Sequence, residues 1–292
     1  MVAFAQALIN GVAIGCVYGL IALGFVLIYK ATEVVSFAQG EFMMVGGFLG
    51  LSFMTHAHLS YWLALPLTFA VAAALGVAIN HVVLKPMIGQ PVFTIVLATF
   101  AVGIFLRASA TMIPGWGTQT YSLETPFSGK VLHLGAVVVS LESLAIIVST
   151  LALVGALFAF FRHTRVGVAL QAVSQNQLAA GYLGIPVHTM FSLIWGLAAG
   201  VAAVAGILLA PLAFVHSNVG FIGLKAFPAA VLGGFGSIPG AIVGGLIIGL
   251  VEELSGLYLP EGVKTVSAYI VLLAVLMVRP QGLFGVSLRE RV

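Results

Sequence analysis

The acidic residues of this 292-residue chain are eight glutamates, and one of them, Glu41, stands inside the apolar run SFAQGEFMMVGG at 36–47. A carboxylate costs about 2.5–3.5 kcal/mol to insert into a bilayer, so one found there faces a charge partner or a water-filled cavity. Gln39 and Gly40 precede Glu41, and Met44, Gly46 and Gly47 follow it. That composition suits a helix broken or locally unwound beside a translocation pathway. The alternative is an interfacial carboxylate near the end of a span, paired with Lys30. Other arrangements that could do chemistry carry less. The run VLGGFGSIPG at 231–240 has the glycines of a phosphate loop but no following Lys-Ser/Thr, so it is no Walker A site. Glu252 and Glu253 are adjacent carboxylates, expected to meet water at the outer end of a helix rather than to share a proton. An intramembrane protease would need a Ser/His pair or two Asp. Asp is absent, and the seven His lie mostly at segment ends, as at His56, His58, His133 and His163. The single Cys16 rules out an internal disulfide and a cysteine metal cluster. No cofactor or metal is expected, and the chain does not read as an enzyme.

The elements that must position these residues are oily. Hydrophobic residues make up 61% and charged residues 7% of the chain, with a mean hydropathy of +1.20. A soluble domain carries about 25% charged residues, so a water-facing surface cannot be built from this composition. The net charge of +3 comes from cations scattered between apolar segments, which is not a nucleic-acid pattern. Those segments run at 6–30, 34–55, 61–85, 91–113, 141–161, 186–210, 221–236, 239–258 and 264–280. Most reach the ~20 residues that cross ~30 Å of hydrocarbon. The pair 221–236 and 239–258, divided by the tight GSIPG break, reads as two crossings or as one re-entrant hairpin. The expected fold is therefore an all-α polytopic membrane protein of eight to nine transmembrane helices. It forms one domain over 1–292, with an outer loop at about 114–140. The first cation is Lys30, unlike the basic start of a cleaved signal peptide. Nine crossings put Lys30, Lys85, Arg162, Arg165, Arg279, Arg289 and Arg291 inside. They leave Lys130 and Lys264 outside, with Arg107 and Lys225 near outer helix ends. This positive-inside bias predicts an outer N-terminus and a cytoplasmic C-terminus.

Small residues recur at helical spacing. Gly11, Gly15 and Gly19 form one stripe and Gly236, Gly240 and Gly244 another, with the pairs Gly46/Gly50, Gly196/Gly200 and Gly245/Gly249 beside them. Such stripes let helix backbones approach closely, within one chain or against a partner subunit. Gly236, Ser237 and Pro239 mark a break whose non-helical backbone must be satisfied by protein or by water; they are a second candidate for the pathway. Residues 162–185, RHTRVGVALQAVSQNQLAAGYLGI, are the only sizeable polar, helix-prone stretch between membrane-length segments. The run Ala169 to Tyr182 reads as one short helix, with Gly184 as its stop before Pro186. A helix of that length is marginal alone in water and needs a docking surface. The other reading is a connector lying on the lipid headgroups.

Three blocks resemble a known family: 11–48, GVAIGCVYGLIALGFVLIYKATEVVSFAQGEFMMVGGF; 164–185, TRVGVALQAVSQNQLAAGYLGI; and 231–253, VLGGFGSIPGAIVGGLIIGLVEE. The chain is similar to permease subunits of the branched-chain amino acid (hydrophobic amino acid) class of bacterial ABC importers. The resemblance implies that 164–185 is a coupling helix seated in a cytoplasmic ATPase, with Arg165, Gly167, Ser174, Gln175, Asn176, Ala180 and Gly184 as the coupling set. It implies a second permease chain, cytoplasmic ATP-binding subunits, a periplasmic binding protein and a place in the bacterial inner membrane. Relatives usually carry a charge or Pro where this chain has Gln171 and Gln177. The implied cargo is leucine, isoleucine or valine; urea or short amides, aromatic acids and sugars are the alternative solutes. A secondary transporter is the alternative class, expected to show more ionisable groups within its spans and no need for the internal polar helix.

Overall fold

The computed structural model describes residues 2–117, 119–134 and 137–285; the C-terminal cations Arg289 and Arg291 lie outside the described residues. Hydrophobic runs become helices here because a bilayer offers no partner for backbone N–H and C=O groups. The helices are α1 (Val2–Thr32), α2 (Gln39–Thr55), α3 (Tyr61–Ile79), α4 (Val92–Met112), α5 (Leu141–His163), α6 (Arg165–Gln175), α7 (Gln177–Tyr182), α8 (Val187–Ala213), α9 (Gly220–Gly233), α10 (Ile238–Tyr258) and α11 (Glu261–Val278). The third continues through a π turn to Met87. Six of these helices, α1, α3, α4, α5, α8 and α10, are long and apolar enough to cross a membrane. The protein is thus a multi-pass membrane protein of the all-α class, its sheet among the described residues confined to one small hairpin. A small antiparallel hairpin, β1 (Val131–Leu134) and β2 (Val137–Ser140), stands in the expected outer loop and was not anticipated.

The core is built from α1, α2, α8, α9 and α10. In α1 and α8, 89% of the most apolar window is buried, against 22% in α3, α4 and α5, which present a side to lipid. Every glycine stripe is used inside the chain. A Cβ on Gly15 would stand 2.8 Å from Leu246 Cα, and one on Gly11 would stand 3.1 Å from Leu250 Cα, so α1 and α10 touch backbone to backbone. Gly46 and Gly206 do the same between α2 and α8, and Gly76 and Gly196 between α3 and α8, where Gly200 makes room for the Phe69 ring. Gly240 and Gly244 press on the α9 backbone, whereas Gly236 has open space and drops out of its stripe.

Two helices are shorter than their apolar segments. The helix expected from 34 begins at Gln39, after an unwound stretch in which Glu33 takes φ 57°. That stretch folds back into the bundle. Gln39 packs on Gly24, about 12 Å up α1 from its end at 1.5 Å per residue. Likewise α9 has 14 residues, about 21 Å, too short to cross alone. It starts beside Gly40 and returns through Gly234, φ 93°, and the Ser237 cap into α10. Among the described cations, Lys30, Lys85, Arg162, Arg165 and Arg279 occupy helix ends that meet at one end of the bundle, called here the basic end.

Candidate functional site

The unwound stretch brings two helix N-termini together inside the protein. Gly223 of α9 packs on Gly40 of α2, and Gly220 packs on the Glu41 carboxylate: a Cβ there would lie 2.6 Å from Oε2. The start of α9 therefore lies against the carboxylate of Glu41, which itself stands in the first turn of α2. Helix N-termini carry unpaired N–H groups and partial positive charge, so a carboxylate is stabilised there. The full counter-charge comes from α4. Arg107 donates through Nε to Glu41 Oε2 at 3.3 Å and through Nη2 to Oε1. Its Cζ also lies 3.9 Å from the centroid of the Phe221 ring on α9. The alternative pairing of Glu41 with Lys30 is not made, because α2 starts too deep to meet the basic end. Beside this node Thr99 Oγ1 accepts from the Phe37 backbone N–H at 3.1 Å. Gln39 donates to the Ala198 carbonyl at 3.0 Å, while Gln39 Oε1 and Ser36 Oγ are buried without a protein partner. Buried polar atoms left in that state call for water or a solute. Met44 is buried one turn on.

Gly236, Ser237 and Pro239 lie elsewhere. They border a cleft of about 860 Å³ at the basic end, with Lys30, Phe161 and Arg162. Ser237 Oγ accepts from the Gly240 N–H at 3.1 Å as the cap of α10. Between this turn and the node runs an aromatic chain. Phe37 and Phe227 have ring centroids 5.8 Å apart, Phe227 and Phe235 5.8 Å, and Phe235 and Tyr29 4.8 Å, with Phe25 against Phe227. The two candidate pathway segments are thus separated by a packed aromatic layer rather than joined in one site.

A second charged group lies on α10. Glu252 is buried, accepting from Tyr18 Oη at 2.6 Å and from Lys225 Nζ at 2.7 Å, so the expectation that it meets water is wrong. Glu253 accepts from Lys264 Nζ at 2.6 Å. The hundred degrees between neighbouring helix residues turns one carboxylate into the core and the other toward α11, a matter of azimuth rather than depth.

At the basic end the polar stretch forms two helices instead of one. Thr164 Oγ1 accepts from the Gly167 N–H at 2.9 Å to start α6, and Asn176 Oδ1 accepts from the Ala179 N–H at 3.0 Å to start α7. Asn176 is a cap, which is why the helix breaks there. Gln171 donates to the Phe161 carbonyl at 3.2 Å and Gln177 to the Ala31 carbonyl at 2.9 Å. Both glutamines therefore satisfy carbonyls in the last turns of the long helices α5 and α1. Gly167 packs under Phe161 and Ala180 is buried, whereas Arg165, Gln175 and Asn176 are exposed and Ser174 is half-buried. Gly184, φ 82°, ends the pair.

The family model for the branched-chain amino acid transport system permease component matches residues 7–278. The chain belongs to that family. The permease is 34% identical to the high-affinity branched-chain amino acid transport system permease protein LivH of Escherichia coli K12, over 99% of this chain and 98% of that protein. It is 30% identical to the corresponding protein BraD of Pseudomonas aeruginosa, again over 99% and 98%. A solved structure, PsaBC from Streptococcus pneumoniae in complex with Fab, aligns over 96% of this chain and 93% of that one, with 16% identity and a TM-score of 0.48.

Several residues of the candidate site escaped sequence reading. Arg107, Phe221, Tyr18 and Lys225 belong to the charged groups, yet Arg107 and Lys225 were placed only as cations near helix ends. The available signal was stoichiometric. Two cations and two carboxylates within apolar helices imply pairing, though not which pairs with which.

Proposed function

We propose that the chain is the transmembrane permease subunit of an ABC importer for branched-chain or related amino acids, driven by partner ATPases that dock on α6 and α7. The observation that carries this reading is the exposed ridge on that helix pair: Leu178, Tyr182 and Leu183 are 75%, 90% and 81% exposed. A contiguous apolar ridge rimmed by polar residues suits a protein groove. Arg165, Ser174, Gln175 and Asn176 supply the rim in this reading. Gly167 and Ala180 shape the pair from within, Gly184 ends it, and Gln171 and Gln177 tie it to α5 and α1, so a push on the ridge reaches both long helices. In this reading, positive-inside bias favours a cytoplasmic basic end, with an outer N-terminus and an inner C-terminus in the bacterial inner membrane. A second permease chain and a periplasmic binding protein complete the importer.

The pathway in this proposal passes the node of Gln39, Gly40, Glu41 and Met44. Helix N-termini and a guanidinium there can take a carboxylate, and Glu41 can take an ammonium, which suits a zwitterion. The aromatic layer of Phe37, Phe227, Phe235 and Tyr29 closes the route toward the cytoplasm. The names of the relatives favour leucine, isoleucine and valine over amides, aromatic acids or sugars. The test is ATP-driven leucine uptake by the assembled importer in proteoliposomes. Leu178→Asp and Tyr182→Asp should abolish uptake at normal permease abundance, since both side chains point away from the bundle. Normal uptake in both variants would make α6 and α7 a passive connector.

A further inference from the structure

We propose that the cleft between α1, α5, α6 and α10 binds one anionic phospholipid from the leaflet at the basic end. Its polar mouth holds Lys30 and Arg162. Neither makes an ion pair among the described residues, because Glu41, Glu252 and Glu253 are taken by Arg107, Lys225 and Lys264. Glu33, close to Lys30 in sequence, is exposed and makes no ion pair. Two unneutralised cations at one mouth ask for a phosphate bearing net negative charge, and a zwitterionic headgroup would bring its ammonium against them. Arg162 is held over the cleft wall, its Cζ 5.9 Å from the Phe158 ring centroid.

Below the mouth the cleft is apolar, floored by Leu151, Val154 and Phe158 of α5 and walled by Leu23 and Ile242. From Leu151 to Arg162 α5 rises about 16 Å, close to half of the ~30 Å hydrocarbon core, the depth of one leaflet. Gly155 deepens the floor, and a Cβ there would meet nothing within 4 Å. Unlike the packed glycines of the core, it leaves room that none of the described residues fills. Basic pockets between transmembrane helices on the cytoplasmic side are the usual seat of acidic headgroups. The α6 wall contributes Val168 and Gln171, so a bound lipid would brace the helix pair proposed to meet the ATPase.

The test uses the full-length permease in nanodiscs of phosphatidylcholine with graded phosphatidylglycerol, with retained lipid counted by native mass spectrometry. Wild type should retain phosphatidylglycerol over phosphatidylcholine, and Lys30→Gln with Arg162→Gln should lower that preference by about twenty-five-fold, roughly fivefold for each cation. Gly155→Trp fills the floor without changing charge and should also expel the lipid while thermal unfolding stays near wild type. Equal retention of the two lipids by wild type, or unchanged retention in both variants, overturns the proposal. So does efficient disulfide crosslinking of Gly155→Cys, in a Cys16→Ser background, to a second permease, which would make the cleft a subunit interface.

Discussion

Exchanging Arg107 for leucine strands the Glu41 carboxylate between α2 and α9. The two side chains are 24% and 11% exposed, so their attraction is only partly screened. Removing one partner of a buried pair costs about 3–5 kcal/mol. Here the orphaned carboxylate keeps the two helix N-termini, each worth about 0.3–1 kcal/mol. The expected loss for Arg107→Leu is therefore about 2–3 kcal/mol. Glu41→Gln should cost less, about 1.5–2 kcal/mol for the lost charged hydrogen bonds, because Arg107 retains the Phe221 ring and partial exposure. The double variant should lose at least ~1 kcal/mol less than the sum of the two. Reversing the pair, Glu41→Arg with Arg107→Glu, keeps the Coulomb attraction but sets a cation at two helix N-termini and a carboxylate on an aromatic face. It should stay destabilised by about 2 kcal/mol. Denaturant unfolding in mixed micelles, followed by tryptophan fluorescence, measures all four variants. Additivity within ~0.5 kcal/mol, or full rescue by the reversed pair, would refute the node as an electrostatic unit.

Gly15→Ala forces a methyl to 2.8 Å from Leu246 Cα and should cost about 1–3 kcal/mol, whereas Gly155→Ala enters open space and should stay within ~0.5 kcal/mol; the same unfolding assay compares them. Gln177→Ala should speed amide exchange in α7 by roughly fivefold, the effect of about 1 kcal/mol, without changing protection in α1 or α8. Ala180→Arg should lower the amount of folded permease rather than selectively uncouple it, because Ala180 is 2% exposed; membrane abundance against uptake separates the two. In a Cys16→Ser background an impermeant thiol reagent should label cysteines at Ser60 and Ser128 in intact cells but not at His163, and labelling at 163 would reverse the orientation.

The apolar segments were legible in the sequence because hydropathy is a local sum and bilayer thickness sets the length a helix needs. The position of the polar pair α6–α7 between long spans was legible for the same reason, and so was the presence of close helix contacts at the glycine stripes. Which helices those stripes join was not, since a four-residue period marks a face without saying what covers it. The pairing of Glu41 with Arg107 and of Glu252 with Lys225 depended on depth and azimuth, set by the fold-back before Gln39 and the early start of α9. Gln171 and Gln177 looked like departures from a basic motif until the carbonyls of Phe161 and Ala31 were placed beside them. In lipid every exposed polar backbone group must find a partner, and a sequence shows which groups need one. Only the packing of distant helices decides which side chain arrives to meet that need.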